Sequence, residues 1–308
     1  MHSNSRILSL FLLAAACHSP APAAPTPESG PLADIALLAS PAFGGRERGT
    51  PGNDSAAVFL ARRYERLQLR PAFGRGCLEQ DRCAISYYQY FNTFEGAGHN
   101  VGAIVEGRDS ALRNEYVVLG AHFDHLGYSS RYALDGSVGI ALHPGADDNA
   151  SGSAAVLAIA ERLNRLPARR SVLVLNFDAE EEGMLGSTAF VASKAYRVDG
   201  MRFMLNLDMI GRLRDHRLEV QGVADRSTMR ARIDSVARAA GLRAIFLRDA
   251  RRSDQTSFAS VGIPIAMFTT GEHGAYHTVR DVAGRINGPG LLTVINVAEA
   301  VVRSAADE

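Results

Sequence analysis

From Pro31 onward, short apolar runs alternate with segments whose apolar positions recur at helical spacing. "SAAVLAIAERLNRL" (153–166) has that spacing and stops at Pro167, which predicts a helix. "SVLVLNF" (171–177) follows as an unbroken apolar run of strand length, the pattern of a strand covered on both faces. "EYVVLGAHFDH" (115–125), "MRFMLNLDMI" (201–210), "HRLEVQGV" (216–223), "RAIFLRD" (243–249) and "IPIAMFTTG" (263–271) predict further strands. "NDSAAVFLARRYERLQL" (53–69) predicts an amphipathic helix. "DRSTMRARIDSVARAAG" (225–241) predicts another, with aspartate at its start and glycine at its stop. "GPGLLTVINVAEAVVRSAA" (288–306) predicts a closing helix. Strands alternating with helices imply an α/β fold with a mostly parallel central sheet and helices on both faces. No repeat and no linker divides residues 31–308, so one domain is expected there.

The first residues follow a different pattern. "MHSNSRILSLFLLAAAC" has one arginine, an apolar stretch from Ile7 to Ala16 and then small residues, which reads as a signal peptide over 1–17. Cys17 directly after "LAAA" resembles a bacterial lipoprotein box; ordinary cleavage near "APAA" is the alternative. Residues 18–30 form a Pro/Ala-rich linker that cannot pack a core. An exported protein is expected: periplasmic, held at the outer membrane as a lipoprotein, or secreted. An oxidising compartment favours a small disulfide loop between Cys77 and Cys83 in "CLEQDRC" over two free thiols.

Composition narrows the function by exclusion. The chain has 46% hydrophobic and 21% charged residues and a formal net charge of zero, so no overall field favours nucleic acid or an anionic membrane. Any membrane attachment is expected only through a lipid at Cys17, and a monomer is expected.

The chemistry gathers where strands end, which is where sites form in open α/β sheets. "YVVLGAHFDH" ends with His122, Asp124 and His125, and "HPGADDNASG" carries Asp147 and Asp148 before a helix. "VLVLNFDAEEEG" ends with Glu180, Glu181 and Glu182, "FMLNLDMIG" sets Asp208 in an apolar strand end, and "AMFTTGEHGAYHTVRD" supplies His273, His277 and Asp281. Each has an ordinary structural explanation: a hydrogen-bonded loop histidine, an acidic helix start, a solvated acidic triplet. Asp208 resists it, because Leu205, Leu207, Met209 and Ile210 surround it and an isolated buried carboxylate is costly. Five such coincidences on one sheet edge are replaced by one cause if the edge binds metal. Two imidazoles and several carboxylates suit Zn²⁺ or another divalent ion, and the number of donors suits two ions sharing one carboxylate.

"GAHFDHLG", "PGADDNASG", "FDAEEEGMLGS", "LNLDMIG" and "YHTVRD" resemble, in order and spacing, the motifs of the M28 family of zinc-dependent aminopeptidases. The resemblance extends over about residues 31–305 and implies a zinc-exopeptidase fold with two Zn²⁺ ions. It implies that Asp148 bridges the metals, that Glu181 and His277 complete one site, and that His122 and Asp208 complete the other. Glu180 is the implied general base. Asp124 would orient His122, and Asp281 would do the same for His277. The implied reaction is hydrolysis of the N-terminal residue from peptides with a free α-amino group, through a metal-bridging hydroxide. Glu182 is left to solvent, and His125, His143 and His273 are left as structural residues. Gln255 and Ser257 stand where the family commonly has histidine and proline, and Ala275 where many relatives have an acid, so the side-chain pocket is open to question. Tyr276 and Phe258 are expected to line it, with core packing as the rival reading for Phe258. A glutaminyl cyclase, another amide hydrolase and a metal-dead binding module are the alternatives on the same fold.

Overall fold

The buried apolar runs form the middle of a mixed nine-stranded sheet among the described residues. The computed structural model describes residues 30–74, 85–94, 96–128, 131–136, 141–225, 227–248 and 253–308. The expected signal peptide, residues 18–29 of the linker, and Cys77 and Cys83 lie outside the described residues.

The strands are β1 (Arg70–Pro71), β2 (Phe73–Gly74), β3 (Ile85–Ser86), β4 (Tyr88–Thr93), β5 (Gly96–Val105) and β6 (Tyr116–His122). They continue as β7 (Ser171–Phe177), β8 (Met201–Leu207), β9 (Arg217–Gln221), β10 (Arg243–Leu247) and β11 (Ile265–Thr269). The sheet order is β1-β5-β7-β6-β8-β11-β9-β10, with β4 beside β5, while β2 and β3 form a separate pair. The contiguous block β7-β6-β8-β11 is parallel throughout. Antiparallel pairings flank it, β5 on β7 at one side and β9 on β11 at the other. Four adjacent strands therefore end on the same edge, and the polar clusters follow three of those ends directly.

The helices are α1 (Pro31–Leu38), α2 (Pro51–Arg66), α3 (Gly152–Arg165), α4 (Leu185–Ala192), α5 (Thr228–Ala239), α6 (Gln255–Ala259) and α7 (Gly288–Asp307). Every residue of β7 is buried, as an unbroken apolar strand requires. Its alternate side chains enter two cores: Val172 and Val174 pack with α1, α2, α3, α5 and α7, while Leu173, Leu175 and Phe177 pack with Phe190 of α4 and Phe258 of α6. Helices thus cover both faces of the sheet.

Two departures from the sequence reading have simple causes. "DMI" (208–210) leaves the strand line, with Met209 at a positive φ of 57°, so β8 stops at Leu207 just before Asp208. No strand is predicted from sequence for the β4–β5 hairpin, because β4 is partly buried, mixed aromatic and polar sequence and β5 begins with "GAG".

One polar link crosses the larger core. Tyr64 Oη of α2 donates to Asn176 Oδ1 of β7 at 2.5 Å, and Asn176 Nδ2 donates to Ser153 Oγ of α3 at 3.1 Å. Tyr64→Phe strands a buried amide oxygen, so it is expected to cost about 2 kcal/mol, read as a lower urea midpoint at unchanged m-value.

Candidate metal centre

Parallel pairing of β7, β6, β8 and β11 is what converts distant sequence positions into one site. His122 is the last residue of β6, and Glu180 and Glu181 lie in the turn after β7. Asp208 follows β8, and His277 lies in the loop after β11. Asp148 comes from the kinked turn Ala146–Ser151 that opens α3. That turn is tied to the end of β8 by Asn149, whose Nδ2 donates to Leu207 O at 2.9 Å and whose Oδ1 accepts from Met209 N at 3.2 Å.

The two oxygens of Asp148 face different histidines. Oδ1 lies 3.4 Å from His122 Nε2, which is also 3.4 Å from Asp208 Oδ1. Oδ2 lies 3.2 Å from His277 Nε2, which is 3.0 Å from Glu181 Oε2. Donor atoms therefore fall into two groups, each within 4.8 Å: His122, Asp148 and Asp208 in one, and His125, Asp148, Glu181 and His277 in the other. His277 Nε2 and Asp208 Oδ1 are buried, and although opposing groups lie 3.0–3.4 Å away, neither atom makes a hydrogen bond with them. Buried polar atoms are normally paired, and these converge with three further carboxylate and imidazole groups, a donor set that fits divalent cations of the zinc type.

The charges of the cluster act on one another. Burial opposes protonation of His122, but Glu180 and the contacts to Asp124, Asp148 and Asp208 outweigh it and raise its pKa well above that of a free imidazole. Burial also works against protonated His277, yet Asp148 and Glu181 raise it to about 11. For Asp148, burial pushes upward, while His122 and His277 pull the carboxyl well below its usual range. Glu181 is lowered: burial and Asp148 oppose ionisation, and His125 and His277 overcome them. Glu180 goes the other way, raised well above its usual value by burial first, with Glu181, Asp208 and Asp254 adding to it against His122. The two adjacent glutamates thus occupy opposite electrostatic environments.

Of the supporting residues, Asp124 lies beside His122, whereas Asp281 and Glu182 meet partners other than those expected. Asp124 Oδ1 sits 3.5 Å from His122 Nδ1, and the same carboxylate accepts the backbone N–H of Glu180 at 3.0 Å and of Glu181 at 3.2 Å. It therefore orders the glutamate turn and lies beside the imidazole. Asp281 does not reach His277. Its Oδ2 accepts the backbone N–H groups of Asp147 and Asp148, and His277 Nδ1 instead faces Tyr132 O at 2.9 Å. Asp147 holds the turn in place, with Oδ1 accepting from Gly211 N and Oδ2 beside His273 Nε2 at 3.0 Å. Glu182 is not free in solvent: it forms a two-pronged ion pair with Arg48, at 2.7 and 2.6 Å.

The expected pocket residues separate. Tyr276 lines the cavity over the cluster and stacks on His277 with ring centroids 3.8 Å apart. Phe258 is fully buried against Phe177 and Phe190 in the smaller core, so it is removed from the pocket. Gln255 and Ser257 are also spent on the fold, Gln255 Oε1 accepting from Asn206 Nδ2 and Ser257 pairing with Ser187. The cavity, about 400 Å³, is walled instead by Met184, Met209, Met267, Tyr132 and Tyr276 around the polar cluster.

Two further buried groups, His125 and Arg46, meet partners that local sequence does not reveal. His125 Nδ1 faces Glu181 Oε1 at 2.9 Å. Arg46, completely buried, donates to the carbonyls of Leu38, Phe123, Pro144 and Gly145 and so ties α1 to the segment after β6 and to the one leading into the Asp148 turn. Burial lowers its pKa to about 10, against the pull of Asp124, Asp148, Asp281 and Glu181.

Sheet order and donor cluster together define the class: the fold is that of the zinc exopeptidases. The zinc aminopeptidase BSAP from Bacillus subtilis superimposes with a TM-score of 0.70 at 17% identity, over 90% of this chain and 95% of that one. A glutaminyl cyclase from Bacteroides thetaiotaomicron superimposes with a TM-score of 0.71 at 18% identity, over 89% and 96%. The profile of Peptidase family M28 matches residues 100–302, and the chain belongs to that family. Aminopeptidase YwaD of Bacillus subtilis is 27% identical over 207 residues, which cover 62% of this chain. The chain spans only 41% of that relative's length.

Proposed function

We propose that the protein is a two-zinc aminopeptidase that removes N-terminal residues from peptides with a free α-amino group. The observation that carries the reading is the division of Asp148, one oxygen toward His122 and Asp208 and the other toward His277 and Glu181. Those five residues would hold the ions, with Asp148 shared. When bound, the ions supply a water of lowered pKa and electrophilic stabilisation of a carbonyl oxygen.

The remaining steps fall to the chain's own side chains. Glu180 lines the same cavity as all five donors and is the carboxylate left over once they are engaged. It takes the proton of the attacking water and delivers it to the nitrogen of the departing amine. Asp124 fixes where that carboxylate starts from, through the Glu180 backbone N–H. Met184, Met209 and Met267 exclude water and offer an adaptable apolar surface to the substrate side chain.

The test is hydrolysis of aminoacyl-p-nitroanilides beside their N-acetyl forms. Only the free-amine substrates are expected to be cleaved, with activity lost on chelation and restored by zinc. Cleavage of the acetylated forms would exclude an aminopeptidase. A glutaminyl cyclase is the second reading, favoured by its matching fold; pyroglutamate formation from N-terminal glutamine without hydrolysis would establish it instead. The full five-residue donor set supports the peptidase.

A further inference from the structure

The cavity over the metal cluster does not end at its own wall. Tyr132 lines it and also lines a second, larger cavity of about 670 Å³. The second cavity is walled by Phe91 and Phe94 of the β4–β5 hairpin and by Leu185 and Ala189 of α4. The two share a boundary in sequence as well: Met184 lines the first and Leu185 the second, as Glu181 and Glu182 do. Tyr132 is anchored to the cluster, because its carbonyl faces His277 Nδ1 at 2.9 Å, and the Arg131 guanidinium lies 5.2 Å from its ring centroid.

The aromatic side of this second cavity is built rather than accidental. Phe91 lies across Gly98 of the neighbouring strand, where a Cβ would come within 2.5 Å of the ring. Glycine there lets the ring lie flat on the hairpin. Phe94 at the hairpin turn is wholly exposed, at 112%, so the fold gains nothing from burying it. An unused apolar side chain at the mouth of a concave apolar surface is characteristic of a binding groove.

We infer that this groove holds the part of a peptide substrate that follows the scissile bond, and that it selects apolar residues there. The inference rests on the aminopeptidase reading above. Such a substrate has one residue before the bond, held in the smaller cavity, and the larger groove adjoins that cavity at Tyr132, where the residues after the bond can lie. Phe91, Phe94, Leu185 and Ala189 give the groove that begins at that wall its apolar surface, with polar residues, Arg131 and Glu182 among them, also lining it. Specificity therefore extends beyond the N-terminal residue to the residues that follow the scissile bond.

The test compares zinc-loaded full-length wild type with Phe94→Ser and Leu185→Ser on leucinamide, Leu-Gly-Gly-amide and Leu-Phe-Phe-amide. Wild type is expected to favour Leu-Phe-Phe-amide over Leu-Gly-Gly-amide by about tenfold in kcat/KM, carried mainly by KM. Each variant is expected to bring that ratio close to one. A wild-type ratio near one, or a ratio unchanged in both variants, overturns the inference. If leucine is released from none of the three, the aminopeptidase reading fails by itself. Calorimetric binding of the two peptides then decides the groove: tighter binding of Leu-Phe-Phe-amide, lost in Phe94→Ser, supports it, and equal binding overturns it. Equal handling of the peptides together with a dimer that Phe94→Ser dissociates assigns the surface to self-association instead.

Discussion

Glu180→Gln is expected to lower kcat by about 10²- to 10⁴-fold while leaving metal content and thermal stability near wild type. The amide has the size and shape of the carboxylate it replaces, and the Glu180 backbone N–H stays bound to Asp124, so the side chain keeps its place in the cavity. It cannot accept a proton from water. The donors His122, Asp148, Glu181, Asp208 and His277 are untouched, so zinc per chain, measured by plasma emission, should not change. The paired control is Glu181→Gln, which removes a donor from the group containing His277 and is expected to lower zinc content as well as rate. Wild-type turnover in Glu180→Gln would show that another group carries the proton. Loss of zinc in that variant would exchange the roles assigned to the two glutamates.

The two glutamates are adjacent in sequence yet sit in opposite electrostatic environments, which local sequence alone does not reveal. The central strands are legible because β6, β7 and β8 are almost wholly buried and their sequences are mostly apolar. Among the candidate donors, His122, Glu181 and Asp208 stand out in the sequence because each ends or closely follows a buried strand, where only a partner removes the cost of a polar group. Asp281 was assigned to the wrong neighbour for a definite reason: sequence puts it four residues from His277, but its loop turns it toward the N–H groups of Asp147 and Asp148. Phe258 was ambiguous because an aromatic beside a site and an aromatic beneath it have the same local sequence. Glu182 reads as solvated in isolation, and only the fold brings Arg48, 134 positions away, to meet it. His125 and Arg46 belong to the same class, because their partners lie on segments distant in sequence.

Arg46 carries the second large expectation. Arg46→Met is expected to destabilise the fold by about 3–5 kcal/mol, seen as a lower urea midpoint. The methionine fills most of the volume but donates nothing, so the carbonyls of Leu38, Phe123, Pro144 and Gly145 lose their buried donor together. It also removes a positive charge close to Asp124, Asp148, Asp281 and Glu181. With a pKa of about 10, the guanidinium is charged at neutral pH, and it is a fixed cation that chelation does not remove. The variant should therefore depend on zinc more than wild type does: the difference in Tm between chelated and zinc-loaded protein is expected to widen. Arg46→Lys separates the two effects, since it keeps the charge and loses the planar fork that reaches four carbonyls on three segments. It should recover the zinc dependence of wild type and only part of its stability. Equal losses of Tm in chelated and loaded protein for both variants would reduce Arg46 to a hydrogen-bonding clamp. A wider gap in Arg46→Met alone would make it the permanent counter-charge that keeps the carboxylates together before metal arrives.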